Sequence, residues 1–370
     1  MSSAEIINRV KSFDTDGNGK ITREEFKGPE NIFKRLDKNS DGVISPEEME
    51  SFAGEQTADV KDKPLAGSIG PGVKALSEMS TSDLYKGEEG GLYGKGSNKP
   101  PKEILDWALQ EAKKIVPLNK EGKPDPKGKV AFISLGMSNT TQEFQKLLEM
   151  LKTMRLASYL ACIDGAQGGN EATAWATEIK DSRTGKTSWD ELARRLAAAE
   201  ISPLQVQVVW MKLAVRGPAK DGEFPEHVRK FQEYAATILQ KLKSRYPNIR
   251  IVYFSNRIYA GYATTTLNPE PYAYEYAYGI RSVIQDQYKG NPELNFNPSK
   301  GEVKAPLVLW GPDLWANGSR ARSDGLSWEP GDLGPDGTHP SESGREKSAS
   351  QLLWFLQNDP TARIWFVKEP

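Results

Sequence analysis

The 370-residue sequence predicts an α/β protein whose large domain is a three-layer α/β/α structure with a five-stranded parallel sheet, preceded by a small all-α module. Two observations lead to this prediction. From about residue 102 onward, five short apolar runs alternate with longer amphipathic stretches, and two acidic loops of matching spacing stand within the first fifty residues. Because helices cover both faces of a parallel sheet, its strands are apolar throughout, as these five runs are.

The two N-terminal loops have the spacing of calcium-binding loops. In 14–25 oxygen donors recur at alternate positions and Gly19 stands where the loop must turn, and 37–48 repeats the pattern with Gly42. A hard cation is wrapped by alternate residues of one loop and closed by a bidentate glutamate. The predicted ligands, with Lys20 and Val43 contributing backbone carbonyls, are Asp14, Asp16, Asn18, Lys20, Glu25, Asp37, Asn39, Asp41, Val43 and Glu48.

This spacing resembles the EF-hand family, and two consecutive loops imply an EF-hand pair that binds two Ca²⁺ ions. Ile21 and Ile44 stand at position eight of their loops, which predicts a short strand pairing between the loops. The loops lie close together along the chain and no Met-rich groove is evident. A structural role for calcium is therefore favoured over a signalling role.

The chain divides into three predicted segments: the loop pair at 1–52, an extended connector at 53–101 that packs on the next domain, and the large domain at 102–370. The predicted strands of the large domain lie at 129–135, 158–164, 204–211, 249–255 and 305–310. Its predicted helices lie at 103–115, 141–154, 188–199, 225–244, 272–288 and 343–358. In such a flavodoxin-like arrangement ligands bind beyond the carboxyl ends of the strands, so the residues after each run are the candidates for function.

The composition excludes several classes of function. With 49 basic and 50 acidic residues, net charge −1, the chain has no overall basic field for binding nucleic acid. Its one cysteine cannot form an internal disulfide, a thiolate zinc site or a CxxC redox motif. The only histidines are His227 and His339, so a mechanism that needs imidazole must use one of them.

Two short motifs follow or precede the predicted elements at positions suited to nucleophilic catalysis. Ser138 follows the first strand and precedes a helix, where its hydroxyl would stand at the sheet edge near the helix N-terminal amides. Asp336 and His339 are three residues apart on one turn, so the carboxylate can bind one ring nitrogen while the other faces a hydroxyl. The alternative is that Ser138 or Asn139 only caps the helix.

Together these motifs resemble the SGNH, or GDSL-like, hydrolase family over roughly residues 128–358. The resemblance implies Ser138 as nucleophile, His339 as general base, Asp336 as its orienting partner and the Gly168 amide as an oxyanion donor. Where the family has Gly-x-Asn after the third strand, this chain has Trp-Met-Lys at 210–212. We therefore expect Lys212 or Asn170 to supply the missing side-chain donor.

Polar and aromatic residues after the fourth and fifth strands suggest a sugar-binding cleft. Asn256, Arg257, Trp310 and Trp315 are the candidate substrate-binding residues, and packing at the rim is the alternative interpretation. His227 stands near a predicted helix start, where we expect a surface or helix N-terminal residue. That assignment leaves His339 as the only candidate base.

The resulting hypothesis is a serine ester hydrolase, with acetyl or similar esters of carbohydrates as substrates and no cofactor in catalysis. One alternative is a non-catalytic carbohydrate- or partner-binding protein with a degenerate site, and another is a calcium sensor that controls the large domain. We expect a small-molecule or glycan ester as ligand, no nucleic-acid partner and no membrane association. The oligomeric state stays open. A secreted or periplasmic location is predicted, with the cytoplasm as the alternative.

Overall fold

The computed structural model describes residues 10–27, 33, 36–39, 41–49, 69–182 and 184–367. The chain forms two compact units, Met1–Ala66 and Gly67–Pro370. Residues 53–68, the first part of the predicted connector, lie outside the described residues, and the three predicted segment boundaries stay predictions. No helix among the described residues is long and apolar enough to cross a membrane. The secreted or periplasmic location also stays a prediction.

In the first unit, the two loops are joined by a short antiparallel pairing. Strand β1 (Ile21–Thr22) pairs with β2 (Val43–Ile44), and Ile21 lies directly opposite Ile44, which confirms the predicted pairing. The buried apolar residues of this unit form one cluster: Val10, Ile21, Phe26, Phe33, Leu36, Ile44 and Met49. Gly19 and Gly42 have φ angles of +79° and +85°, a backbone conformation in which glycine carries no steric penalty.

The second unit is built on a parallel sheet of five strands in its described part. The strands are β5 (Val130–Gly136), β6 (Leu160–Ile163), β7 (Val206–Lys212), β8 (Ile251–Ser255) and β9 (Leu307–Trp310), in the spatial order β6-β5-β7-β8-β9. This order is flavodoxin-like, and it confirms the predicted fold class. A two-stranded antiparallel ribbon, β3 (Leu84–Tyr85) with β4 (Glu88–Glu89), precedes the sheet in the chain.

Helices cover both faces of the sheet, as the continuous apolar strands require. They are α1 (Lys102–Lys113), α2 (Ser138–Leu151), α3 (Ala172–Thr177), α4 (Ser188–Ala198), α5 (Glu226–Arg245), α6 (Tyr272–Tyr288), α7 (Glu342–Asn358) and α8 (Arg363–Phe366). Alternate strand residues point to opposite faces: Ile133 and Val209 pack in the cluster that contains Phe231 of α5, whereas Phe132 and Val208 pack with Phe144 of α2. The sequence did not predict α3 and α8, and α2 begins three residues earlier than expected.

The segment from residue 69 to 101 lies on the second unit. The Tyr85 hydroxyl and the Lys86 ammonium both donate to Oε1 of Glu275 in α6, each at 2.8 Å. The Trp310 indole N–H at the end of β9 donates to the Leu92 carbonyl at 2.5 Å. These contacts cover α6 and the carboxyl end of β9.

Candidate active site

Ser138 is placed by a tight transition from β5 to α2. A side chain at Gly136 would meet both the Lys212 carbonyl and the Thr140 hydroxyl at 2.3 Å, so only glycine fits this strand end. The chain then turns, and Ser138 becomes the first residue of the helix, after the cap residue Met137. No side chain caps the helix there, so the capping alternative for Ser138 and Asn139 is wrong.

The Ser138 hydroxyl, the His339 ring and the Asp336 carboxylate form a hydrogen-bonded chain. Ser138 Oγ lies 2.7 Å from His339 Nε2, and His339 Nδ1 lies 2.5 Å from Asp336 Oδ2. Burial raises the pKa of Asp336, but the His339 ring and the backbone N–H groups of His339 and Thr338 outweigh it and hold that pKa at about 2. The ionised carboxylate therefore accepts from Nδ1–H and leaves Nε2 as the acceptor for the serine proton.

The turn that carries Asp336 and His339 is fixed against the start of α2. The Asn139 side-chain amide, which is buried, donates to the Thr338 carbonyl at 2.8 Å. The backbone N–H of Thr264 donates to the Asp336 carbonyl at 3.0 Å. Gly337 has φ +60°, and a β-carbon there would overlap the Tyr262 carbonyl. Residues next to the catalytic candidates thus set the distance between the hydroxyl and the ring.

Two backbone N–H groups are available beside the Ser138 hydroxyl. A β-carbon built on Gly168 would lie 3.9 Å from the Ser138 β-carbon, so Gly168 is adjacent to the serine. Within the described part of the chain, the backbone N–H groups of Ser138 and Gly168 donate to no protein acceptor. Such free amides at a helix start can stabilise a developing negative charge.

The two side chains expected to complete an oxyanion site are engaged elsewhere. The Lys212 ammonium lies 2.5 Å from Glu143 Oε1, and both side chains are buried. Burial lowers the pKa of Lys212, and the Glu143 carboxylate opposes that shift. The Asn170 amide donates to Gln167 Oε1 at 2.7 Å. Each side chain binds an internal partner and neither lines the cavity at Ser138, so the structure does not bring Lys212 or Asn170 to the position expected of an oxyanion donor.

A small cavity of about 60 Å³ opens at the serine. It has apolar walls from Met137, Val215 and Leu267 and polar walls from Glu171 and Arg216. The remaining lining residues are Ser138, Asn139, Gly169, Asn268, Thr338 and His339. Sequence reasoning missed Glu171, Val215, Arg216, Leu267 and Asn268. A search a few residues further past β7 would have found Val215 and Arg216, but Asn268 lies far beyond β8 and carries no local signal.

The four predicted substrate-binding residues lie in the protein interior. Asn256 donates to Asp313 at 2.7 Å, the Trp315 indole donates to Glu270 at 2.8 Å, and Trp310 is bound to the Leu92 carbonyl. Arg257 is fully buried, and burial lowers its pKa. None of the four lines the cavity at Ser138. The structure therefore does not bring these four residues to the candidate nucleophile, and rim packing, the alternative, is closer to their buried positions.

A larger cavity of about 580 Å³ lies beside Trp310 and the exposed Trp354. It shares no lining residue with the cavity at Ser138. One of its lining carboxylates, Asp313, is already bound by Asn256 and Arg322. We place the candidate active site at the smaller cavity because Ser138 and His339 line it.

His227 is in a different environment from His339. It lies in the first turn of α5, as expected, but it is fully buried and not a surface residue, which corrects that part of the prediction. Its Nε2 lies 3.0 Å from Oε2 of the buried Glu275. It does not line the cavity at Ser138. His339 is therefore the histidine that the structure brings to the candidate nucleophile.

The first N-terminal loop brings three carboxylates together. Oxygens of Asp14, Asp16 and Glu25 lie within 4.8 Å of one another. Hydrogen bonds from Thr22 and Thr15 hold the pKa of Glu25 at about 2, so this side chain is ionised at neutral pH. The Asn18 side-chain oxygen accepts from the Lys20 backbone N–H at 2.7 Å. Carboxylates grouped in this way fit a hard cation such as Ca²⁺.

The second loop has a similar network of hydrogen bonds. Asp37 accepts from the backbone N–H groups of Asp41 and Gly42 at 3.1 and 3.0 Å, and Asp41 accepts from the Val43 N–H at 2.9 Å. The Asn39 side-chain oxygen accepts from the Asp41 N–H at 2.8 Å. Glu48 accepts from the Lys38 and Ser45 N–H groups at 3.0 and 2.9 Å. The predicted ligand residues of this loop therefore share one hydrogen-bond network, although among the described residues only the carboxylates of the first loop lie within 4.8 Å of one another.

Residues 11–28 and 30–53 match the EF hand family. The N-terminal unit contains an EF-hand module. A transaldolase from Thermosynechococcus vestitus is 51% identical over 37 residues, which is 10% of this chain and 10% of that protein. The chain therefore spans about a tenth of the length of that curated relative.

Two solved structures have a distant similarity to the chain. An α/β hydrolase enzyme from the metagenome of Lake Arreo, Spain, is 13% identical, and the match covers 64% of this chain and 96% of that one with a TM-score of 0.34. A lipase from a goat rumen metagenome is 17% identical, and the match covers 61% and 97% with a TM-score of 0.30. These similarities are too distant to assign an activity.

Proposed function

We propose that the second unit is a serine ester hydrolase of SGNH type that removes acetyl or similar small acyl groups from carbohydrates. The observation that carries the proposal is the 2.7 Å distance between Ser138 Oγ and His339 Nε2, with Asp336 on the other ring nitrogen. A nucleophile within hydrogen-bond reach of a base that a third group orients is the arrangement for acyl transfer. The resemblance of the Ser138 and Asp336–His339 motifs to SGNH hydrolases supports the subtype.

The first half of the reaction forms an acyl-enzyme. Ser138 Oγ attacks the ester carbonyl carbon while its proton passes to His339 Nε2. The carbonyl oxygen becomes an oxyanion, and the backbone N–H groups of Ser138 and Gly168 donate to it. The carbon–oxygen bond to the alcohol then breaks, and the leaving alkoxide takes the proton from His339. Asp336 stabilises the imidazolium and stays ionised because its pKa is about 2.

The second half releases the acid. A water molecule attacks the acyl carbon and gives a proton to His339 Nε2, and the same two N–H groups bind the new oxyanion. The bond to Ser138 Oγ breaks, and His339 returns its proton to the serine. Lys212 takes no part, because its ammonium is bound to Glu143. The protein thus uses two backbone donors where the family adds an asparagine.

The cavity supports a small acyl group. Its volume is about 60 Å³, and the apolar side chains of Val215 and Leu267 contribute to its wall. A short acyl group such as acetyl fits such a space. The polar side chains of Glu171 and Arg216 on the same wall support a hydroxyl-bearing alcohol as the leaving group.

Turnover of 4-nitrophenyl acetate tests the proposal. Wild-type protein should release 4-nitrophenol, and Ser138→Ala should reduce kcat about 10⁴- to 10⁶-fold. Ser244→Ala is the matched control, because Ser244 is exposed on α5 and its hydroxyl donates only to the Lys241 carbonyl. Equal turnover in wild type and Ser138→Ala would overturn the proposal in favour of a non-catalytic binding protein. A screen of acetylated glycans with the same three proteins then defines the natural substrate.

We also propose that the EF-hand module binds two Ca²⁺ ions and that calcium stabilises the protein. The loop carboxylates that support this proposal include Glu25 and Glu48, each at the closing position of its loop. Calorimetric titration should give two ions per chain in wild type and one in either Glu25→Gln or Glu48→Gln. Chelation should lower Tm and leave kcat at temperatures well below unfolding unchanged. A loss of kcat under those conditions would instead favour a calcium sensor.

A further inference from the structure

The loop that carries Asn268 forms one wall of the cavity at Ser138. It is held from the other side, because the Gly217 backbone N–H donates to the Leu267 carbonyl at 2.9 Å. Asn268 is only 2% exposed, yet it lines the cavity together with Ser138 and His339. The position of Asn268 beside Ser138 is therefore fixed by the backbone of its loop, and Asn268 is not a mobile surface side chain.

The two atoms of the Asn268 amide have different surroundings. Nδ2 donates to the Val215 carbonyl at 3.4 Å, whereas Oδ1 is buried and has no hydrogen-bond partner in the described part of the chain. Rotating the amide by half a turn would place two oxygen acceptors against each other, so Val215 fixes the orientation. Oδ1 is consequently the amide atom left for a ligand, and it can only accept a hydrogen bond.

Glu171 gives the same wall a second acceptor. One of its carboxylate oxygens accepts from the Arg216 backbone N–H, and burial raises the pKa of this carboxyl group. A buried acceptor without a donor is unfavourable, and a ligand hydroxyl or N–H would supply the missing hydrogen bond. Two hydrogen-bond acceptors, Asn268 and Glu171, thus lie in the cavity wall near Ser138, and they favour a substrate with hydroxyl or N–H groups.

We infer that Asn268 selects esters whose alcohol part carries a free hydroxyl next to the ester oxygen, as in a partly acylated sugar or polyol. The inference rests on the proposed function and adds the residue that determines specificity. The hydroxyl donates to Asn268 Oδ1 while the ester carbonyl lies at Ser138. An ester without that hydroxyl leaves the acceptor unpaired, and a site of this kind discriminates strongly against such an analogue.

Two esters that differ only at this position test the inference. In 2-hydroxyethyl acetate a hydroxyl stands where propyl acetate has a methyl group. Wild-type protein should have a kcat/KM for 2-hydroxyethyl acetate at least about tenfold higher than for propyl acetate, the value expected for one hydrogen bond. In Asn268→Leu, which has no acceptor, this ratio should fall to near one.

Asn248→Leu is the matched control. Asn248 also donates to a backbone carbonyl, that of Leu204 at 2.8 Å, but it precedes β8 at the opposite edge of the sheet. It should keep the wild-type ratio. A wild-type ratio near one overturns the inference even if Asn268→Leu does not fold, and so does an unchanged ratio in Asn268→Leu. Failure of the proposed function is distinct, because wild-type protein would then hydrolyse neither these two esters nor 4-nitrophenyl acetate.

Discussion

The carboxyl ends of β5, β8 and β9 lie at the same edge of one sheet, but in the described part of the chain only the end of β5 brings a serine and a histidine together at a cavity. At β5, Ser138 borders a cavity and meets His339. At β8 and β9, Asn256 and Trp310 are buried under other parts of the chain. The comparison shows that the rule placing ligands at the carboxyl edge selects candidates, while the packing of distant segments decides which of them a substrate can reach.

The polar residues that follow β8 and β9 form hydrogen bonds and ion pairs with one another. The Asp313 carboxylate accepts from Asn256 at 2.7 Å, and the Ser77 hydroxyl and the Arg322 guanidinium also bind it. Buried charges are retained when they are paired in this way. Asn256 therefore stabilises the fold. At the end of β5, in contrast, Asn139 and Asp336 position Ser138 and His339 relative to each other.

Replacing each histidine in turn gives the largest expected contrast between reactive and structural residues. His339→Ala should reduce kcat for 4-nitrophenyl acetate about 10⁴- to 10⁶-fold, because the serine proton then has no acceptor. His227→Ala should keep kcat within a few fold and lower the stability, because it removes the side chain that lies against Oε2 of the buried Glu275. Steady-state kinetics and thermal unfolding of both variants measure the two effects. A similar loss of kcat in both would contradict the assignment.

Replacing Asn256 tests whether this residue, which follows β8, has a structural role. Asn256→Ala removes a hydrogen-bond donor from the buried Asp313 carboxylate and should lower the free energy of unfolding by about 1–3 kcal/mol. The kcat of the folded fraction should stay near that of wild type, because Asn256 does not line the cavity. Urea unfolding and active-site kinetics measure these quantities. Asn358→Ala, an exposed control on α7, should change stability by less than about 0.5 kcal/mol.

A smaller effect is expected in the pH dependence of the free energy of unfolding, to which Asp336 contributes. The pKa of Asp336 is lowered from 3.8 to about 2, so folding favours the ionised form. Its contribution is complete above pH 3.8 and is lost as pH falls through about 2. The stability difference between wild type and Asp336→Asn should therefore shrink by on the order of 1–2 kcal/mol from pH 5 to pH 2. A difference that stays constant in urea unfolding over this range would contradict the charge role.

The features that depend on residues close together in the sequence could be predicted. Alternate oxygen donors gave the EF-hand loops, continuous apolar runs gave the parallel sheet, and Asp336 with His339 share one turn. Contacts between distant segments could not be predicted. Nothing near Trp310 in sequence shows that Leu92 covers it, and nothing near Lys212 shows that Glu143 binds it. Asn268 reaches the cavity only because its loop is tied to the Val215–Gly217 segment.

The start of α2 also depends on contacts with distant segments that the sequence does not show. Ser138, Asn139 and Thr140 are polar and were predicted as a turn before the helix, yet they form its first turn. The Thr140 hydroxyl donates to the Lys212 carbonyl and Asn139 to the Thr338 carbonyl, so tertiary contacts satisfy their side chains. These contacts outweigh the low helix propensity of such residues.

Covalent labelling of Ser138 tests the central claim most directly. Diethyl 4-nitrophenyl phosphate reacts with an activated serine: an oxygen–phosphorus bond forms at Oγ, 4-nitrophenolate leaves, and the base takes the proton. Intact-mass and peptide mass spectrometry should find one diethylphosphoryl group per chain, on Ser138, in folded wild-type protein. Labelling should be absent in Ser138→Ala and strongly slowed in His339→Ala. Folded wild-type protein that stays unlabelled, or that is labelled at another residue, would contradict the assignment of Ser138 and His339 as nucleophile and base.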